Sequence, residues 1–251
     1  MALIRLVKQL QISSKVIKNE NTINLYFSIK KMKIGIITYD VPHLKTQEVF
    51  FRLLEKKYKI YFFFIKFKKY KKRTTLINHR PFQFTGPDIF QLSRKYKIKI
   101  DSVETIKSHK NIKYFLICGG GIIDHKLIIK NKIINCHPGL IPMTRGLDSF
   151  KWSILNNLVI GNTLHFIDQK IDSGKIISHK KTPIFCEDSF ESLAKRHYEF
   201  EIDMLVNFES YIKKQLIYNL KSKTPTKRMP FELQKKMINN FERFKNIIID
   251  E

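Results

Sequence analysis

The chain has 251 residues, with 47 Lys and Arg against 22 Asp and Glu, a formal net charge of +25. Hydrophobic residues make up 43%, enough to bury a core, so a globally disordered chain is excluded, and no run approaches the ~18–20 consecutive apolar residues of a membrane span. Three cysteines, Cys118, Cys136 and Cys186, are too few and too scattered for a disulfide framework or a four-ligand zinc site; the expectation is a reducing, cytoplasmic setting and no metal.

Residues 1–31 are basic, with Glu20 the only acid, and read as an extension ahead of a start at Met32. From Met32 the pattern alternates. Lys33–Thr38 is a β-branched apolar strand, followed by a loop at Tyr39–His43. Thr46–Lys57 carries Val49, Phe50, Leu53 and Leu54 at helical spacing. Ile60–Ile65 is a second buried strand, and Lys66–Arg73 is basic enough to be a loop. Pro87 and Asp88 open a helix to about Tyr96, as Pro and an acid do in a first turn. Strands follow at Ile98–Ile100, Tyr114–Cys118 and Lys132–His137, then a helix at Asp148–Asn156 and strands at Asn162–Ile167 and Lys175–Pro183. Ser189–Lys221 is mostly helical, and Pro230–Ile248 is a final helix. Strands separated by helices predict an α/β fold, a Rossmann-like, mostly parallel sheet with helices on both faces and a short helical C-terminal tail. The expected divisions are 1–31 as extension, 32–205 as catalytic domain and 206–251 as tail.

The charge has two readings. Lys, Ile and Asn are all abundant, as in Ile128–Asn135, which AT-rich coding produces without selection for a partner, and Lys is tolerated on any solvated face. The competing reading is an RNA-binding surface over Lys56–Arg73, where nine of eighteen residues are Lys or Arg interleaved with Tyr and Phe. An apolar strand flanked by solvated charges accounts for the same residues, so nucleic acid is not the expected partner.

Parallel sheets place ligands beyond the carboxyl ends of their strands, which directs attention to the loops after Thr38, Cys118 and His137. In Ile134–Gly146 a strand presents Asn135 and His137 on one face and Cys136 on the other. Pro138 cannot continue a central strand, so His137 stands at its end. An amide donor beside a protonatable ring suits a carbonyl oxygen that gains negative charge. The alternative is a strand-end turn with two surface polar residues. In Gly161–Ile177, Asp168 and Asp172 lie in a loop between apolar strands. Asp172 is the candidate to orient His137 and raise its pKa, keeping it charged; both acids also suit plain turn chemistry.

Together the two segments resemble the 10-formyltetrahydrofolate-dependent formyltransferases. That family's Asn-x-His-Pro-(Gly/Ser)-Leu-(Leu/Ile)-Pro run is matched by Asn135, His137, Pro138, Gly139, Leu140, Ile141 and Pro142. Its later Gly-x-Thr-x-His and Asp-x-Gly elements are matched by Gly161, Thr163, His165, Asp172 and Gly174. The resemblance implies catalytic roles for Asn135, His137 and Asp172, with 10-formyltetrahydrofolate as co-substrate. It implies folate contacts at Gly119, Gly120, Gly121 and Ile122 and at Asp168, and a structural place for His165. The glycine run is not a dinucleotide fingerprint, because the G-x-G-x-x-G spacing is absent.

The acceptor is reached by elimination among the family's branches. A Gly-Ser-Asn phosphate loop, as in the glycinamide ribonucleotide enzymes, is replaced here by Tyr39–Gln47. The methionyl-tRNA enzymes carry a C-terminal β-barrel, and the tail here reads as helix. The remaining branch formylates nucleotide-linked amino sugars for surface polysaccharides, and it shares the Arg145–Asp148 run. His43, Lys45, His79, Arg80 and Arg145 are the acceptor-side candidates, as donors to a diphosphate or to sugar hydroxyls. A 10-formyltetrahydrofolate hydrolase would use the same three residues with water as acceptor. A two-fold homodimer is the default for such enzymes.

Overall fold

The described residues form a single seven-stranded sheet in which six strands run in one direction and one is reversed. The computed structural model describes residues 32–69, 74–121, 123–129, 132–170, 172, 174–213 and 224–249. Those from Lys33 onward belong to one compact unit; residues 1–31 and Ile122 lie outside the described residues.

Strand β1 (Lys33–Tyr39) is central, paired in parallel with β2 (Lys59–Ile65) on one side and β4 (Tyr114–Ile117) on the other. Residues 34–38 are all buried, the mark of a strand covered on both faces. Beyond β2 lies β3 (Lys99–Ser102), and beyond β4 lies β5 (Ile133–His137). The chain moves outward from β1 to β3, then returns to add β4 on the other side. The sheet therefore has its switch point between β1 and β4, the place where open α/β sheets bind their ligands. Strand β6 (Gly161–Phe166) runs antiparallel to β5, and β7 (Ile176–Lys181) antiparallel to β6, giving the order β3-β2-β1-β4-β5-β6-β7.

Helix α1 (Leu44–Glu55) buries Val49, Phe50 and Leu53. Helix α2 (Ile89–Tyr96) opens at Asp88, whose carboxylate accepts the Gln91 N–H while the Gln91 side chain accepts the Asp88 N–H. Helices α3 (Ser149–Leu155) and α4 (Phe190–Val206) follow β5 and β7, and α4 packs on α1, β5 and β6. The helix expected over Ser189–Lys221 breaks at Asn207, so α5 (Phe208–Lys213) is separate. The final helix is also two, α6 (Phe231–Asn239) and α7 (Phe241–Ile249). At the break, the Asn240 amide donates to Ile154 O and Asn157 Oδ1. The bend lets Met237 and Phe244, both fully buried, enter one cluster with Phe150, Ile154 and Leu193. The C-terminal helices thus share a core with the α3–α4 layer. A second cluster, around Ile37, Phe63, Val103, Phe115 and Ile133, packs on the sheet.

Candidate functional site

Two sequence segments meet in register. Antiparallel pairing of β5 and β6 sets Asn135 opposite His165 and His137 opposite Thr163. Thr163 fixes the turn after His137: its hydroxyl donates to Gly139 O at 2.6 Å and accepts the Ile141 N–H at 3.0 Å. Close packing explains two glycines here. A Cβ on Gly139 would lie 2.8 Å from His137 Nε2 and 2.7 Å from Thr144 O. One on Gly174 would lie 1.8 Å from Phe166 O.

Asn135 is half-buried and His137 is 3% exposed. His165 Nδ1 lies 3.1 Å from the Phe166 carbonyl, which can only accept, so that nitrogen carries the proton in the neutral ring. Its Nε2 is then an acceptor, and the Asn135 amide donates to it at 3.4 Å. One amide hydrogen of Asn135 is spent there, and the other is left for a further acceptor.

Asp172 sits in a left-handed turn, φ 45°, with its side chain 14% exposed. Its Oδ2 lies 3.4 Å from His137 Nδ1 and accepts the Gly146 N–H at 3.0 Å. Its Oδ1 stands 3.9 Å from His165 Nε2. On the far side of the ring, His137 Nε2 is 3.2 Å from Thr144 O and 3.1 Å from Ser149 Oγ. A neutral ring fits this setting with its proton on Nδ1 toward the carboxylate and its Nε2 as an acceptor; the single Ser149 hydroxyl hydrogen serves either that nitrogen or Gly146 O, each 3.1 Å away. A protonated ring would give its second N–H to Thr144 O.

Burial decides the resting charge of that ring. It lowers the His137 pKa below the usual imidazole value, and Asp172 and the Thr144 carbonyl offset the effect only in part. The expectation that Asp172 keeps His137 charged is corrected accordingly, because desolvation outweighs the carboxylate. His165 is pushed well down by the same burial.

The other candidates fall into separate settings. Gly119 to Gly121 lie at the carboxyl end of β4, against the residues that follow β1. A Cβ on Gly119 would meet Tyr39 Cδ2 at 2.8 Å and His43 Cε1 at 3.1 Å, and Gly121 has φ +57°. Asp168 is exposed, and its carboxylate accepts the Lys170 N–H at 2.9 Å. His43 is buried against Thr46, 3.0 Å from its hydroxyl, with its pKa lowered to about 4 by burial and by Lys45 and Arg80. Lys45 is 4% exposed and pairs with Glu201 at 2.6 Å; Arg80 pairs with the other Glu201 oxygen at 2.6 Å. These two cations thus meet a buried carboxylate. His79 stacks on Phe150, and Arg145 is 5% exposed in the loop before α3.

Thr144, Ser149 and Glu201 were not picked out by sequence reasoning. Glu201 carried a signal, since it shares the inward face of α4 with His197, Tyr198, Ile202 and Leu205, where an acid needs a partner. Thr144 and Ser149 carried none, being ordinary turn residues until the loop folds onto His137. Among the described residues no cluster of three His, Cys, Asp or Glu is placed to hold a metal, and no helix is long and apolar enough to cross a membrane.

Residues 93–208 match the sequence model of the formyl transferase family. A phosphoribosylglycinamide formyltransferase of Haemophilus influenzae is 39% identical over 71 residues, 28% of this chain and 34% of that protein. A methionyl-tRNA formyltransferase of Fusobacterium nucleatum is 26% identical over 191 residues, 74% of this chain and 59% of that protein. The matches therefore span about a third and just under two thirds of these relatives. Among solved structures, an N-formyltransferase of Helicobacter canadensis, in complex with folinic acid and dTDP-3-aminofucose, superposes with a TM-score of 0.57 at 20% identity, covering 84% of this chain and 80% of that one. That likeness is one of fold.

Proposed function

We propose that this chain, which matches the formyl transferase family model over residues 93–208, moves a formyl group from 10-formyltetrahydrofolate to a primary amine, and that the amine belongs to a nucleotide-linked amino sugar. The observation that carries the reaction class is the cross-strand assembly of Asn135, His137, His165 and Asp172 at the carboxyl edge of the sheet. The Gly119–Gly121 loop, which carries no side chains and lies beside Tyr39, is the proposed seat of the co-substrate, since backbone amides suit a pterin edge.

10-Formyltetrahydrofolate supplies a formyl group on a nitrogen leaving group. Asn135 donates its second amide hydrogen to the formyl oxygen as the amine adds and charge gathers there. Asp172 and His137, 3.4 Å apart, take up the proton that the amine releases and return one to the folate nitrogen as its bond to the formyl carbon breaks and tetrahydrofolate leaves. A ring that is neutral at rest is suited to this, because Thr144 O and Asp172 both accept from the imidazolium once it forms. Gly119–Gly121 and Asp168 are the proposed folate contacts. Of the acceptor candidates, Arg80 retains 29% side-chain exposure and Arg145 lies 5% exposed in the loop before α3, whereas Lys45 is paired with Glu201.

Two features support the sugar branch. After β1, where a phosphate loop would supply donors, Asp40 turns its carboxylate to the Phe67 N–H at 2.7 Å. After α5, helices α6 and α7 pack into the core. The second reading, a phosphoribosylated amine, is favoured by the 39% identity to the Haemophilus influenzae enzyme. The test measures tetrahydrofolate release from 10-formyltetrahydrofolate with nucleotide amino sugars, glycinamide ribonucleotide, methionyl-tRNA or no acceptor. Release that requires an amino sugar supports the proposal. Release with glycinamide ribonucleotide or tRNA alone replaces the acceptor, and release without any acceptor makes the protein a hydrolase.

A further inference from the structure

The loop between the His137 turn and α3 touches His137 from both sides through one residue. The Gly146 N–H donates to Asp172 Oδ2, which faces His137 Nδ1. The Gly146 carbonyl accepts from Ser149 Oγ at 3.1 Å, and that oxygen faces His137 Nε2. The pose of this peptide therefore decides where both ring partners stand.

That pose is set from outside the matched family segment. Thr226 forms an isolated parallel bridge with Gly146. The Leu147 N–H donates to Thr226 O at 2.9 Å, and the Thr226 N–H donates to Arg145 O at 2.8 Å. The Thr226 hydroxyl reaches both Arg145 O, at 2.9 Å, and Leu147 O, at 2.8 Å. The contact is tight, since a Cβ on Gly146 would lie 2.5 Å from Thr226 O and 2.6 Å from its nitrogen, at φ +94°. Two neighbours reinforce it. The Met229 N–H donates to Asp148 Oδ2 at 3.0 Å, and Trp152 Nε1 donates to Lys227 O at 2.8 Å.

We propose that Thr226 is a positioning residue, a clamp behind Gly146 that holds Asp172 and Ser149 against the two nitrogens of His137. The active site then depends on a segment C-terminal to the family match, and residues 224–229 are part of the catalytic assembly. This inference rests on the reading of the site as a formyltransferase centre.

Histidine-ring NMR on the full chain tests the clamp without requiring turnover, with the His137 resonance assigned by its loss in His137→Gln. Thr226→Val keeps the backbone bridge and the shape but removes the hydroxyl. Thr226→Ser restores the hydroxyl. Phe244→Ala loosens the C-terminal core without removing any hydrogen bond of the clamp. The charged and titratable groups facing His137 are Asp172, His165 from β6, Glu201 and His197 from α4, and Arg80 from the segment after β2. Asp172 is the one that Thr226 holds, and it favours the imidazolium. Thr226→Val is therefore expected to lower the His137 titration midpoint, with Thr226→Ser close to wild type and Phe244→Ala lowering Tm alone. The Val variant should also reduce kcat for formyl transfer between about 10- and 100-fold, the scale of a small misplacement of reacting groups, with KM for the amine unchanged. A midpoint that stays put, rises, or shifts equally in Phe244→Ala overturns the clamp. If wild type transfers no formyl group, the functional reading fails, and the titration still decides the clamp.

Discussion

The Lys45–Glu201–Arg80 triad permits a quantitative prediction for Glu201→Gln. Burial pushes the Glu201 carboxyl up, yet Arg80 and Lys45 overcome this and hold it down to about 2, against an ordinary 4.5. A folded-state pKa below the unfolded one means that stability is present above about 4.5 and lost as pH falls toward 2. At about 1.4 kcal/mol per pH unit, this difference favours the folded state by about 3 kcal/mol at neutral pH. The Gln variant removes it and strands the Lys45 ammonium, which is 4% exposed; breaking a buried pair from one side costs about 3–5 kcal/mol. Urea unfolding followed by the fluorescence of Trp152, the single tryptophan, reads the difference directly. The gap between wild type and variant should be about 3 kcal/mol or more at pH 7 and should narrow from pH 5 to pH 3. Replacing both partners, as Lys45→Met with Glu201→Leu, should restore much of the loss, because Arg80 keeps 29% side-chain exposure and can be solvated. A loss below about 1 kcal/mol at pH 7, within the range of an exposed ion pair, would refute the reasoning, as would a gap that does not change with pH.

Three further outcomes follow from the same geometry. Asn135→Ala should lower formyl-transfer kcat by about 10²–10³ with little change in Tm, since it removes one donor from a half-buried position; near-normal turnover in the tetrahydrofolate-release assay would exclude it as the oxyanion donor. Gly174→Ala places a methyl 1.8 Å from Phe166 O and should cost at least about 1–3 kcal/mol in urea unfolding. In a thiol-reagent titration Cys186, which is exposed, should react promptly, whereas Cys118 and Cys136 should react only on unfolding; burial raises both thiols, Cys118 to about 12.

Much of the architecture was legible in short-range pattern. The runs at Ile34–Ile37 and Ile60–Ile65 carry no charged side chain on either face, as expected of strands covered on both faces, and both lie in strands. Pro87 and Asp88 announced a helix start because first-turn chemistry is local, and the structure completes it with a capping box between Asp88 and Gln91. The splits at Asn207 and Asn240 were not legible. At Asn240 the deciding hydrogen bonds go to Ile154 and Asn157, more than eighty residues away.

The candidate site divides along the same line. Alternation along β5 determined that Asn135 and His137 share a face, and Pro138 determined that they stand at a strand end; both are properties of neighbouring residues. Only the tertiary structure decided the antiparallel register that sets His165 against Asn135, the burial that leaves His137 neutral, and the diversion of Lys45 to Glu201. It likewise brought Thr226 behind Gly146, across eighty residues of chain. The physical reason is that backbone sterics and side-chain periodicity act between neighbours in sequence, whereas desolvation, ion pairing and hydrogen bonds across the fold depend on distances that exist only once the core has closed.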